Sequence, residues 1–306
     1  MAAPALIGID WGTSSLRGAL LAADGTVLAL HSAPRGLLSV PVGGWAAVFD
    51  AEFGAWCAAH PALPVLMAGM VGSRQGWAEA PYCPCPAGAT ELAAALHWLR
   101  PGRMAHMAIV PGISCGTAAG DTPDVMRGEE TQVIGALSLL GLRDATLVLP
   151  GTHSKWVTAA GGRIQHVSTH MTGECYALLR QHSILARTLP ADDAAFVPDA
   201  FEAGVLQAQQ PGGLLHHLFS VRSLALFDRL DGAALASRLS GLVIGEELRA
   251  ELATGTATAA PLLLVGNASL SQRYQRALQL LNLPVVSVGD QASWHGLAAL
   301  ADTLTA

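Results

Sequence analysis

Along this chain apolar residues first alternate with polar ones and later recur every three or four positions. Residues 5–11, 15–22 and 26–33 fit three strands of a meander, with Asp24-Gly25 as the hairpin turn between the last two. A helix is predicted over 46–59 and a short buried strand at Val65-Leu66-Met67-Ala68. The stretch 69–87 is rich in Gly, Pro and polar residues and reads as a loop. Leu92, Ala95, Leu96 and Leu99 share one face of a helix predicted over 89–99, and His106–Val110 is a strand ending at Pro111-Gly112. The next helix runs Glu129–Leu140, with Val133, Ile134, Leu137 and Leu140 as its apolar face. Two acids open it, where the helix dipole favours anions, and Gly141 stops it.

From residue 145 the three-strand pattern begins again. The stretch 199–254 is mostly helical, broken at Pro211-Gly212-Gly213 and Asp231-Gly232. Pro261–Val265 is a buried strand that turns at Gly266-Asn267 into a helix carrying Leu270, Tyr274, Ala277, Leu278 and Leu281 on one face. A strand at 284–288 and a helix at 293–304 follow. The pattern is α/β throughout.

The restart is also a repeat of detail. Ile9-Asp10-Trp11-Gly12-Thr13-Ser14-Ser15-Leu16-Arg17 is echoed by Leu149-Pro150-Gly151-Thr152-His153-Ser154-Lys155-Trp156. Each is strand, Gly-Thr-X-Ser turn, strand, and each runs on through a second turn into a third strand. Two copies of one unit predict two lobes, 1–141 and 142–306, with the last helix returning to their junction. Small turns facing each other across a cleft would suit the phosphates of a nucleotide.

The length of 306 residues fits two domains of ordinary size, and 51% hydrophobic residues can fill two cores. Much of that fraction is alanine, and no apolar run reaches the roughly 18–20 residues of a spanning helix, so no membrane partner is expected. The start lacks a basic leader, which argues against a secretory signal. A net charge of −6 without a basic stripe makes nucleic acid a poor partner. Five scattered cysteines suggest a reducing cytoplasm rather than a disulfide framework, and Cys83-Pro84-Cys85 has no second pair at zinc-like spacing. The oligomeric state stays open, a homodimer included.

The candidate chemistry follows from the turns. Asp10 at a strand end, followed by Gly12, Thr13, Ser14 and Ser15, offers a carboxylate for Mg²⁺ and free N–H and O–H groups for phosphate. Either element alone could be an ordinary hairpin; the second copy at Gly151, Thr152, His153 and Ser154 is what a bland hairpin does not predict. Glu129 and Glu130 could accept the proton of an alcohol in a phosphoryl transfer, although acids at a helix start often do no more than match the dipole. Gly266 and Asn267 would let a flat adenine ring approach the backbone. Ser73, Arg74, Gln75 and Trp77 form a polar loop in which Arg74 could pair a planar carboxylate, against the surface ion pair that is the usual fate of a lone Arg. Thr172-Gly173-Glu174, Arg180 and His182 could line the site, or Thr172 and Glu174 could simply cap a helix.

The order of these parts resembles the sugar-kinase branch of the actin-like ATPase superfamily, whose fold is two ribonuclease H-like domains around a cleft. In that branch a catalytic Asp opens a helix about twenty residues ahead of a Gly-Thr-Gly turn; here the position falls on Glu130, or on Glu129 if the gap shifts by one. Ser73-Arg74-Gln75 is similar to a substrate loop of glycerol kinases. The blocks Gly72–Trp77, Asp124–Gln132, Pro150–Trp156, Met171–Glu174 and His182–Leu185 resemble the signatures of the 2-dehydro-3-deoxygalactonokinase family over nearly the whole chain. His170 and Cys175 depart from that pattern beside the fourth block.

The resemblance implies ATP-dependent phosphorylation of 2-dehydro-3-deoxy-D-galactonate at its 6-hydroxyl in galactonate breakdown. It implies Asp10 on Mg²⁺, the two turns and Lys155 on the phosphates, Gly266 and Asn267 on adenosine, and Glu130 or Glu129 as base. Arg74, with Arg127, Lys155 and Arg180, would meet the substrate carboxylate. The rivals are a kinase for another small sugar acid or ketose, and a non-catalytic sugar-binding regulator. A regulator of this superfamily would carry a DNA-binding segment ahead of the first hairpin, for which residues 1–5 leave no room.

Overall fold

The structure is a computed structural model and describes residues 2–99, 106–192, 194–255 and 261–305. The first run of elements is β1 (Leu6–Trp11), β2 (Leu16–Leu21), β3 (Val27–Ala33), α1 (Trp45–Ala59), β4 (Val65–Gly69), β5 (Tyr82–Pro84), α2 (Ala89–Ala94), β6 (His97–Trp98), β7 (Met107–Ile109), β8 (Gly112–Cys115), β9 (Asp124–Met126) and α3 (Glu129–Leu140). The second is β10 (Ala145–Leu149), β11 (Ser154–Ala160), β12 (Arg163–His170), α4 (Thr172–His182), α5 (Pro198–Ala208), α6 (Gly213–Leu226), α7 (Gly232–Ala253), β13 (Leu262–Val265), α8 (Ala268–Leu280), β14 (Val286–Val288) and α9 (Gln291–Thr305).

The repeat seen in the sequence recurs in the sheets. One has the order β3-β2-β1-β4-β7-β6 and another β12-β11-β10-β13-β14. In each, a hairpin meander turns back on its first strand, and that strand pairs in parallel with one that arrives after a long excursion. The parallel registers set Asp10 opposite Ala68 and Val148 opposite Leu264. A third, small sheet has the order β5-β8-β9.

By compactness the chain divides into Met1–Ala145 with Val157–Val167 and Val288–Ala306, and Thr146–Trp156 with Ser168–Ser287. The first unit is built around Trp11, Trp45, Phe49, Phe53, Met67 and Ile109. Trp11 meets Trp45 edge to face, ring centroids 4.9 Å apart. A fully buried side chain of this size contributes about 1.5–3 kcal/mol over an exposed one. In the same unit α3 and α9 touch backbone to backbone: a Cβ on Gly135 would lie 1.8 Å from the Ala292 carbonyl oxygen, and one on Gly296 the same distance from that of Thr131. The second unit packs Val148, Trp156, Phe201, Ile244, Leu248, Leu264 and Tyr274 together.

Two sequence expectations are corrected. The helix predicted over 89–99 stops at Ala94; the chain then extends, His97 pairs with Ile109 and the Leu99 N–H donates to the Met107 carbonyl at 2.9 Å. Leu92, Leu96 and Leu99 are buried either way, so their spacing does not distinguish the two conformations. The cysteines are not all unpaired: Cys85 is joined to Cys115 by a disulfide. Parallel pairing of β5 with β8 sets Pro84 opposite Ser114 and so brings the next residues together across 30 positions of sequence. Among the described residues no helix is long and apolar enough to cross a membrane.

Candidate functional site

The first unit gathers its polar groups where parallel strands end. Asp10 lies at the end of β1, and the β1–β4 register places Trp11 against Gly69. Gly128, which precedes α3, abuts Gly69: a Cβ on it would sit 3.1 Å from the Gly69 Cα. A side chain at either glycine would crowd this corner, and Gly128 also has φ +105°, which L side chains rarely adopt. Asp10 is held by Arg17 at 2.5 Å, and Arg17 also reaches Asp290 at 3.1 Å. Burial lowers the Arg17 pKa, but the two carboxylates outweigh it and raise the net value. The turn beyond Asp10 leaves Thr13, Ser14 and Ser15 exposed, while the Gly12 N–H closes on the Ser15 carbonyl at 2.9 Å. Its outer side is fixed by Leu37, whose N–H donates to the Gly12 carbonyl at 3.0 Å.

Glu130, in the first turn of α3, is fully buried. Its Oε2 accepts the Gly128 N–H at 2.7 Å, and its Oε1 has no partner. Desolvation, followed by the charge of Glu129, pushes its carboxyl up to about 8. Glu129 instead turns back to accept the Arg127 N–H at 3.1 Å. The two acids thus differ in their surroundings: Glu130 is fully buried, and Glu129 is partly exposed.

Arg127 reaches this corner from the end of β9. Its guanidinium lies over the Tyr82 ring at 4.4 Å, and Nη2 donates to the Ala80 carbonyl at 2.8 Å. Nε and Nη1 are buried and without partners, as is the Ser73 hydroxyl. The Arg127 Nη1 lies 3.0 Å from where a Cβ on Gly72 would be. Buried polar groups are rarely left unpaired, so this cluster of Ser73, Arg127 and Glu130 suits a polar small molecule.

The second unit holds the other predicted turn. Gly151, Thr152 and His153 form it, Thr152 and His153 are exposed, and His153 pairs with Glu174 at 2.6 Å. Ser154 is fully buried and its hydroxyl donates inward to Glu247 at 2.7 Å. Gly266 lies beside the same turn; a Cβ on it would be 3.9 Å from the Pro150 carbonyl oxygen. Asn267 caps α8, accepting the Leu270 N–H at 3.1 Å.

Other sequence candidates fall elsewhere. Arg74 is exposed and meets Glu79 at 3.4 Å, and Gln75 is exposed beside it. Trp77 packs into the first core, 6.3 Å from the Trp11 ring and 5.9 Å from Phe49. Lys155 is buried and donates to the Thr169 hydroxyl at 2.8 Å. Arg180 donates to the carbonyls of Pro190 and Asp192. Sequence reasoning missed Tyr82, Arg17 and Glu247. For Glu247 a signal existed: Ser240, Val243, Glu247 and Glu251 follow helical spacing along a buried face of α7, where an acid is out of place.

The 2-keto-3-deoxy-galactonokinase family model matches residues 10–300. A probable 2-dehydro-3-deoxygalactonokinase of Rhizobium meliloti is 37% identical, over 96% of this chain and 95% of its own. The 2-dehydro-3-deoxygalactonokinase of Escherichia coli strain K12 is 36% identical, over 96% and 97%. A crystal structure from Sinorhizobium meliloti, put forward as a 2-dehydro-3-deoxygalactonokinase, has a TM-score of 0.90 at 35% identity and covers 98% of this chain and 99% of its own. An activator of 2-hydroxyisocaproyl-CoA dehydratase from Clostridium difficile, solved with bound ADPNP, has a TM-score of 0.53 at 12% identity, covers 97% of this chain and 92% of its own, and likens the fold alone.

Proposed function

Since the chain belongs to the 2-keto-3-deoxy-galactonokinase family, we propose that it transfers the γ-phosphoryl group of ATP to the 6-hydroxyl of 2-dehydro-3-deoxy-D-galactonate. The observation that carries this reading is the buried cluster of Glu130, Arg127 and Ser73, with a carboxylate oxygen, two guanidinium nitrogens and a hydroxyl left without partners. A sugar acid brings the matching groups. Its carboxylate suits Arg127, whose nitrogens can donate to it, and its alcohol suits Glu130.

Glu130 is the base. As the hydroxyl oxygen bonds to the γ-phosphorus, the bond to the β-γ bridging oxygen breaks, ADP departs and the proton passes to the unpartnered Oε1. A carboxyl held near 8 keeps that proton better than an ordinary glutamate, which strengthens it as a base once ionised. Within the first unit the exposed Thr13, Ser14 and Ser15 would offer donors for phosphate. Within the second, the turn Gly151, Thr152 and His153, anchored by Ser154, would do the same, and Gly266 and Asn267 would lie against adenosine.

A nucleotide-bound Mg²⁺ would meet the Oδ1 of Asp10, which lies 3.5 Å from where a Cβ on Gly69 would be, while Oδ2 stays with Arg17. Among the described residues no group of three or more His, Cys, Asp or Glu could hold an ion alone, but Mg²⁺ on a nucleotide usually takes only one or two carboxylates and keeps several waters. Bound there through Asp10, the ion would neutralise charge on the β- and γ-phosphates.

The test is ADP release with ATP and a panel of 2-dehydro-3-deoxy-galactonate, the corresponding gluconate and glycerol, with the phosphorylated carbon identified by NMR. The galactonate-derived acid is expected to turn over fastest and to carry phosphate at carbon 6. Preference for another acid would move the reading to a sibling kinase, and no ADP release with any acceptor would overturn it.

A further inference from the structure

Glu247 has no place in the chemistry above, yet it is among the most enclosed acids of the chain, 2% exposed in the middle of α7. Its Oε1 accepts the Ser154 hydroxyl at 2.7 Å and the Trp156 indole N–H at 2.8 Å. Its Oε2 accepts the Tyr274 hydroxyl at 2.6 Å and the Thr172 hydroxyl. A carboxylate is an acceptor with about four lone-pair sites, and four donors fill them. The donors come from the start of β11, from the first residue of α4 and from α8. All lie in the second unit.

Three of those donors border the second turn. Ser154 is its last residue and Trp156 follows it on β11. Thr172 starts the helix that presses on the turn from the other side: a Cβ on Gly173 would meet the Gly151 carbonyl oxygen at 2.4 Å and the Thr152 Cα at 2.8 Å. The Glu174 N–H closes the contact by donating to the Thr152 carbonyl at 3.0 Å. The block Thr172-Gly173-Glu174 thereby acquires a physical purpose, which is to seat a helix start against Gly151-Thr152 without a side chain in the way.

We propose that Glu247 is the positioning residue of the second phosphate turn, tying Ser154 and the start of α4 to one buried carboxylate so that the backbone of Gly151–His153 is fixed before nucleotide arrives. This rests on the reading of that turn as a phosphate grip. A carboxylate accepts from all four donors at once with full charge. An amide can keep its oxygen on the indole and Ser154 only by turning N–H₂ toward Tyr274 and Thr172, whose hydroxyls must then rotate to accept, and every charge-assisted bond becomes a neutral one. Tyr274 stays a donor at working pH, because burial first and the Glu247 charge second push its phenol well above the usual range.

The experiment is steady-state kinetics of Glu247→Gln in the full chain, with ATP and 2-dehydro-3-deoxy-D-galactonate varied separately. The KM for ATP should rise roughly 10-fold or more, the loss of one or two hydrogen bonds to a charged group, while the KM for the sugar acid and the turnover at saturating ATP hold within about 3-fold. Combined with Thr172→Val, the effect should be strongly non-additive, because both act through one contact. Equal rises in both KM values, or a folded variant with wild-type KM for ATP, would overturn the proposal.

Thr152→Pro, which removes a backbone N–H of the turn itself, separates the two readings. If it raises the KM for ATP and Glu247→Gln does not, only the positioning role fails; if neither changes it, the phosphate-grip reading fails as well. Should the Gln variant not fold, Tyr274→Phe keeps the ring and the carboxylate while removing one donor. It should raise the KM for ATP a few-fold, and an unchanged value would overturn the proposal.

Discussion

Glu130 and Glu247 are buried to nearly the same degree, 0% and 2% exposed, and are treated in opposite ways. Glu247 is surrounded by four donors and every lone pair is used. Glu130 is met only by backbone N–H groups and its Oε1 has no partner, with a second acid as its sequence neighbour. A buried charge with all its hydrogen bonds is a fixed part of the scaffold. A buried acid deprived of them holds its proton more tightly and remains available to a ligand. The two repeats of the fold therefore diverge in use: the first keeps an unsatisfied acid near its strand ends, and the second uses a satisfied one to brace its turn.

The contrast can be broken most forcefully at Glu130. Glu130→Gln should lower kcat by roughly 10²–10⁴-fold, the usual span for a general base, or ~3–5 kcal/mol of barrier. A folded Gln variant with near-wild-type turnover would place the base elsewhere, with Glu129 next in line.

A smaller effect sharpens the substrate side. Arg127→Met should raise the KM for the sugar acid about 10–100-fold through loss of charged hydrogen bonds, leaving that for ATP nearly unchanged. Arg74→Ala should change either constant by less than about 3-fold, since an exposed ion pair contributes at most ~1 kcal/mol. If the two arginines exchanged these effects, the carboxylate would sit on the exposed loop and not over Tyr82.

The smallest effect is on stability, and its sign differs between the two acids. Because the folded-state pKa of Glu130 is raised from the ordinary 4.5 to about 8, its stabilising proton is present at low pH and lost as pH rises toward 8. Glu130→Gln should therefore melt a few degrees above wild type at pH 8, with the gap closing near pH 5. Glu247→Gln should melt below wild type at both. Thermal melts at the two pH values check this; a Glu130→Gln variant less stable than wild type at pH 8 would mean that the wild-type acid is better solvated than its burial indicates.

Much of this was legible in the chain. The duplicated meander, the span of α3 and its stop at Gly141, and the placement of two acids at its start all follow from period and end signals that act locally. The Cys85–Cys115 bond, the short strands β8 and β9 and the truncation of α2 depend on partners distant in sequence, for which local spacing carries no signal. The site was half legible. Ser73, Arg127 and Glu130 stood in recognisable blocks, but only packing shows that Arg74 points to solvent, that Trp77 belongs to the core and that Tyr82 lies beneath Arg127.

The pH dependence of kcat/KM for the sugar acid at saturating ATP, in wild type and in Glu130→Gln, addresses the central claim most directly. The wild-type profile should climb with pH and level off above about 8 as the buried acid ionises, and the residual activity of the variant should lack that limb. A wild-type profile already flat from pH 6 upward, or the same rising limb in both proteins, would contradict the assignment of Glu130 as the base.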